Sequence, residues 1–123
     1  MEFIKLVISS NERYSYDSAS NIKMNILGDF LISDVSRPSS FINWALDTES
    51  NHACANLTDL EKENDYIFMT DLYSEEETPT ELKITLQQFV RILTDWEEKV
   101  LKVKPKEVVI KYENDEFTIE TKG

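Results

Sequence analysis

TLQQFVRILTDWEEKVLKVKPKEVVI, residues 85–110, decides the fold, because it reads as one amphipathic helix delivered into one strand. Thr85 can cap the helix start and Gln88 stands three residues on, the spacing of a capping box, while Ile84 and Phe89 occupy the two positions of a hydrophobic staple. Leu86, Phe89, Val90, Leu93, Trp96 and Val100 then recur at spacings that hold one apolar stripe inward. On the other side Asp95 with Lys99, and Glu98 with Lys102, stand four apart in the favourable order. Lys99, Lys102 and Lys104 complement the carbonyl end, and Pro105 stops the helix, giving a long helix over about 85–104.

Beyond Pro105, Val108, Ile110 and Tyr112 share one strand face. If Asn114 and Asp115 are the two turn residues, Phe117 returns opposite Tyr112, Ile119 opposite Ile110, and Thr118 opposite Lys111. One register satisfies both strands. Before the helix, ANLTDLEKENDYIFMTDLY gives two β-like runs around the polar Lys62 to Asp65, a hairpin, and 80–85 can return antiparallel to 66–73.

The remaining elements are read more coarsely. EFIKLVI, residues 2–8, has the apolar character of a strand well inside a sheet. A polar, Ser-rich stretch runs through Asn21. NIKMNI alternates Ile22, Met24 and Ile26 with Lys23 and Asn25, so 22–35 is expected as two strands or one strand bent or bulged at Gly28. RPSSFINWALDTES fits a short helix over about 38–49, with Pro38 at its start, although Ile42, Trp44 and Leu46 would also share a strand face. The expected class is α+β: a single domain over 1–123, with an antiparallel or mixed sheet of five to seven strands and both helices packed on one face.

Composition bounds the function. The 123 residues carry 41% hydrophobic residues, two Trp, five Tyr and six Phe, enough for a core without disulfides or metal. Cys54 is the only cysteine, and no apolar run approaches the roughly 20 residues that cross a bilayer. A cytoplasmic protein is expected. Of the net charge of −11, most comes from residues 51–80, where Asp59, Glu61, Glu63, Asp65, Asp71, Glu75, Glu76 and Glu77 face only Lys62. Such density repels nucleic acid and anionic membrane and favours a basic partner. A solvated face kept soluble by like charge is the simpler explanation of such a segment.

Catalytic constellations are thin. His52 is the only histidine, and HAC at 52–54 leaves a zinc site two donors short. DLYSEEETPTEL lacks the ligand spacing and glycine of an EF-hand loop. One internal glycine cannot build a phosphate-cradling loop or a dinucleotide fingerprint. Acid pairs such as Asp59 and Glu61 are unavoidable among 24 acidic residues. No catalytic residue, cofactor or metal is expected, and Trp44 and Trp96 read as core.

The run ELKITLQQFVRILTDWEEKVLKVKPKEVVIKYENDEFTIE, with ILGDFLISD and ANLTDLEKENDYIFMTDLY, resembles small immunity proteins encoded beside bacterial polymorphic toxins, including those of contact-dependent growth inhibition systems. The resemblance spans about two thirds of the chain. It rests on a strand leading into a Trp-bearing helix and a Pro-Lys-Glu turn into a final hairpin, with no diagnostic motif. It implies a non-enzymatic cytoplasmic inhibitor that binds one cognate toxin domain, often a nuclease. The acidic segment from Asp59 through Glu77 would then be the binding face, with Tyr66 and Tyr73 as aromatic anchors. Tyr73 is equally readable as a sheet residue packed in the fold. An acidic adaptor for another basic protein and a carboxylate enzyme using a divalent ion are the competing classes, and homodimerisation stays open.

Overall fold

A computed structural model gives the structure of residues 1–73, 75, 77 and 80–123. Its framework is two antiparallel sheets of four strands each. The first, sheet A, runs β2 (Tyr14–Ala19), β1 (Glu2–Ile8), β7 (Glu107–Glu113), β8 (Glu116–Lys122). Sheet B runs β3 (His52–Cys54), β4 (Thr58–Glu63), β5 (Tyr66–Asp71), β6 (Glu81–Thr85). Three helices accompany them: α1 (Ile22–Asp34), α2 (Pro38–Leu46) and α3 (Leu86–Trp96). α1 touches β1 and β2 on one side and β5 and β6 on the other, and α3 touches β8 as well as β5 and β6. α2 packs on α3.

The α+β class holds, but the single sheet with helices on one face does not. The strands divide into two sheets whose inner faces close on the same helices. Ile4, Leu6, Val108 and Ile110 of sheet A share one buried cluster with Leu60, Ile67, Met69 and Ile84 of sheet B, bridged by Leu27, Phe30, Phe89 and Trp96. Phe30 lies near the centre, stacked on Phe89 at 6.1 Å and edge-on to Phe41 at 5.0 Å.

The expected strands over 22–35 are the helix α1. Asn21 caps it, its side-chain oxygen accepting from the Met24 amide at 3.0 Å while its amide nitrogen donates to Glu2 Oε1 at 2.7 Å. A helix held between two sheets buries residues around much of its circumference, here Met24, Ile26, Leu27, Phe30 and Leu31, so the apolar stripe that marks a surface helix is missing. The two-residue alternation of Ile22, Met24 and Ile26 is what remained visible. Gly28 marks no bulge. It lies where α1 crosses β1, and a Cβ there would stand 2.2 Å from Ile4 Cδ1.

The opening stretch folds much as it reads. Thr85 and Gln88 form a reciprocal capping box, with Gln88 N to Thr85 Oγ1 at 3.0 Å and Thr85 N to Gln88 Oε1 at 2.8 Å. Phe89, Leu93, Trp96 and Val100 are buried, while Leu86 and Val90 are half-buried. The helix is not α throughout: after Trp96 it continues as a π-helix, Glu97–Leu101, and ends before Pro105. Glu98 pairs with Lys102 as expected, at 3.1 Å. The expected Asp95–Lys99 pair is replaced: Asp95 stands 3.9 Å from Arg91, and Lys99 donates to the Ile119 carbonyl at 3.3 Å. The wider π turn changes the angular step between Asp95 and Lys99, and β8 offers an acceptor.

The final hairpin has the expected register, Tyr112 opposite Phe117, Ile110 opposite Ile119 and Lys111 opposite Thr118. Asn114 and Asp115 both have positive φ, 54° and 61°, as a type I′ turn requires. The β4–β5 hairpin and the antiparallel return of β6 onto β5 are also present. α2 ends at Leu46, short of 49: Asp47 turns to extended backbone, its amide donating to the Trp44 carbonyl at 3.2 Å, and Lys62 Nζ donates to the carbonyls of Trp44 and Asp47, each at 2.5 Å. Strand β2 lies in the polar stretch that gave no periodic signal. Among the described residues no helix is long and apolar enough to cross a membrane.

Candidate interaction surface

Sheet B alternates strictly. Thr58, Leu60, Ile67, Met69, Leu82 and Ile84 are buried toward the helices, and the residues between them form the outer face. The strand register sets that face in rows. His52, Glu61, Phe68 and Lys83 stand across from one another in the first; Cys54, Asp59, Thr70 and Glu81 in the second; Glu63, Tyr66 and Thr85 in the third. Asp59, Glu61, Glu63 and Tyr66 are thus brought together as the sequence suggested, on the side of the sheet away from α1 and α3. Asp65 stands beside them in the β4–β5 turn, exposed.

The rest of the expected site is elsewhere. Asp71 has the parity of the buried residues and stands across from Thr58, so it points toward α1, not outward. Burial and then the Asp71 charge hold the Asp29 carboxyl of α1 above its ordinary range. Tyr73 is neither packed in the sheet nor on its outer face. It follows the end of β5, 71% exposed, with its amide donating to Asp71 Oδ1 at 2.9 Å, and it borders a small cleft with Asp29 and Asp71. Glu75 and Glu77 are exposed and outside the strands, and Glu76 lies outside the described residues.

Glu81, Phe68 and Lys83 are charged or aromatic members of the face that were not anticipated. Strand parity would have found them, since Phe68 is two residues from Tyr66 and opposite Glu61, and Lys83 is opposite Phe68. Lys83 Nζ lies 4.2 Å from the centre of the Tyr66 ring and 5.8 Å from that of Phe68, covering aromatic surface. Lys62, the one base in the acidic segment, has the inner parity. It caps the carbonyl end of α2 and sits 4.7 Å from the Trp44 ring centre. The outer face therefore sets Asp59, Glu61, Glu63 and Glu81 against Lys83, with Lys62 withdrawn to the inner side.

At one edge of this face His52 Nε2 pairs with Asp59 Oδ1, and donor atoms of His52, Asp59 and Glu61 lie within 4.8 Å of one another. An imidazole and two carboxylates are donors that a divalent first-row ion accepts. Cys54 is exposed and opposite Asp59, but its thiol is directed to the Ala55 carbonyl at 3.7 Å. The group is open to water, and exposed acidic clusters commonly form without an ion.

The outer face of sheet A is differently composed. Lys5 stands 3.9 Å from Asp17 and 3.6 Å from Glu107, and Lys111 stands 2.7 Å from Glu120. Comparison of the chain with protein-family models, with curated proteins and with solved structures finds no match in any of the three.

Proposed function

We propose that this chain is a non-enzymatic binding protein that covers a basic surface of a second protein with the outer face of sheet B. The observation that carries the reading is the concentration of Asp59, Glu61, Glu63 and Glu81 around Tyr66 and Phe68 on a sheet face that no helix covers among the described residues. Same-sign charge attracts an oppositely charged partner from a distance and speeds encounter, and aromatic side chains between the acids supply contact area. A β-sheet between helices and solvent is also a stiff platform, which lowers the ordering cost of binding.

The resemblance to polymorphic-toxin immunity proteins supports a more specific form of the proposal. The partner is a cationic bacterial toxin domain, such as a nuclease, and the chain neutralises it in the cytoplasm by occluding the surface that would meet nucleic acid. Co-expression with the toxin encoded beside it should rescue growth. The triple variant Asp59→Lys, Glu61→Lys, Glu63→Lys should slow association at least tenfold in low salt and much less in high salt. Unchanged kinetics would remove this face from the interface. If the toxin is not bound but another basic protein is, with the same salt dependence, the adaptor reading replaces the immunity reading.

The His52, Asp59 and Glu61 group favours one second reading, a carboxylate site using a divalent ion. A melting temperature raised by Mn²⁺ or Zn²⁺ and returned to baseline by His52→Ala would support it. No response to either ion would leave those residues to the protein interface.

A further inference from the structure

A cleft of about 530 Å³ opens at the far end of the helical layer, between the start of β2, the C-terminal half of α1 and the π-helical segment. Its size is in the range of small-molecule sites, roughly 300–1,000 Å³. No residue of sheet B borders it, so its chemistry is separate from that of the acidic face.

Its lining is mixed. Tyr14, Ile32 and Leu101 border it half-buried, beside the exposed Ser33 and Ser36, over a floor of Leu31, Val35, Trp96 and Val100 that are each 2% exposed or less. The π-helix bears directly on this, because Val100 and Leu101 both belong to it, and a π turn in a longer helix often marks a functional site. The mouth is basic in a strongly acidic chain. Arg13 and Lys104 stand there with Glu12. Glu12 is neutralised by Lys104, Oε2 to Nζ at 3.0 Å, and Arg13 makes no ion pair among the described residues. Glu12 and Lys104 both hold positive φ, 62° and 54°, a conformation unfavourable for residues with a Cβ, and their side chains bridge chain segments 92 residues apart.

One polar group beneath the cleft is unanswered. Trp96 is 2% exposed and its indole Nε1 has no hydrogen-bond partner among the described residues, whereas buried donors are ordinarily paired. Tyr14, edge-on to Trp96 at 6.1 Å, does not serve it, because the Tyr14 hydroxyl donates to the Pro105 carbonyl at 2.5 Å. A cation would meet Arg13 and Lys104 at the mouth, and a wholly polar solute would gain little from Tyr14, Ile32 and Leu101.

We propose that this cleft binds a small organic anion with an apolar body, its carboxylate held by the fork of Arg13 and its hydrocarbon lying against Tyr14, Ile32 and Leu101, above the floor of Leu31, Val35, Trp96 and Val100. The planar guanidinium matches a carboxylate through two parallel hydrogen bonds.

Decanoate is the probe, with decanol as its uncharged counterpart, added to the full ¹⁵N-labelled chain and followed by amide and indole resonances together with calorimetry. Saturable binding of one decanoate is expected, with shifts concentrated at Arg13, Val35, Val100, Leu101 and the Trp96 indole. Decanol and the Arg13→Glu variant should each weaken binding at least tenfold. Arg13 is exposed, so the variant tests the contact without disturbing the core. Absence of saturation, equal affinity for decanol, an unaffected Arg13→Glu variant, or shifts centred on sheet B would each overturn the proposal. The experiment uses no protein partner, so its outcome is independent of the binding role of the acidic face.

Discussion

Sheets A and B present the same kind of inner face to the same helices and opposite kinds of outer face to water. Inside, both follow the two-residue alternation that burial imposes, and neither could change a residue without loss of packing. Outside, sheet A pairs its charges: Lys5 with Asp17 and Glu107, Lys111 with Glu120. Sheet B spreads acids instead. Along its ladders Asp59 faces Thr70, Glu61 faces Phe68, Glu63 faces Tyr66 and Glu81 faces Thr70, so no two of these acids are directly opposed. Direct opposition of like charges would weaken the strand pairing, and the interleaved neutral and aromatic residues avoid it. The folding requirement is met equally by both patterns, so the acidity of sheet B is free to serve an encounter with another molecule.

That comparison assumes that the two inner faces belong to one cooperative core, and the largest effect tests this. Trp96→Ala removes a side chain that is 2% exposed and should cost about 3–5 kcal/mol. Urea titration should show a single transition, and amide exchange should accelerate in β4–β5 and in β7 together. Acceleration confined to one sheet would show two separate cores and weaken the contrast of their outer faces.

A smaller effect separates inner from outer lysines. Lys62 of sheet B donates to two carbonyls at the end of α2, so Lys62→Met should cost about 1.5–3 kcal/mol, the range for hydrogen bonds to a charged group. Lys111 of sheet A forms an ion pair with the exposed Glu120, and Lys111→Met should cost about 0.2–1 kcal/mol, further reduced by salt. Equal costs in denaturant titration would mean that Lys62 is as solvated as a surface lysine and belongs with the acidic face after all.

These distinctions were unevenly legible in the sequence. Where a local device fixes geometry, the residues announce it. The Thr85–Gln88 box sets the helix start, and Asn114–Asp115 sets a turn that dictates every pair from Tyr112–Phe117 onward. α1 was illegible because burial from two sides removes the polar stripe, leaving Asn21 as its only local signature. The division into two sheets follows from that same helix, since a strand at 22–35 would have continued a single sheet. For the candidate surface, the identity of the acids was readable but their side was not. Asp59, Glu61 and Glu63 share one parity, whereas Lys62 and Asp71 have the other, and only the register of β4 against β5 assigns either parity to solvent. The cleft beside Trp96 gave no sequence signal, because Arg13, Val35 and Leu101 are far apart in the chain and border one cleft only once it is folded.

The smallest effect concerns a place where acids of sheet B and of the helical layer confront each other. Asp29 on α1 borders the same cleft as Asp71 at the end of β5, and burial, with the neighbouring charge second, raises its carboxyl above the ordinary 3.8. A raised acid binds its proton more tightly in the folded chain than in the unfolded one. At neutral pH, where both states are ionised, the charge is therefore a penalty on folding, and stability rises as pH falls through the raised value until the unfolded chain protonates as well. Asp29→Asn should stabilise the protein at pH 7, by less than about 1 kcal/mol because the side chain keeps contact with water. The advantage should shrink on acidification and vanish below the ordinary value of 3.8, where both forms are neutral. Paired urea titrations at the two ends of that range measure it, and Asp71→Asn should remove part of the same penalty from the other side. A destabilised Asp29→Asn at pH 7 would mean that the carboxylate has a favourable partner. Repulsion would then be absent where sheet B meets α1, and the acids of sheet B would be less concentrated outward than its face suggests.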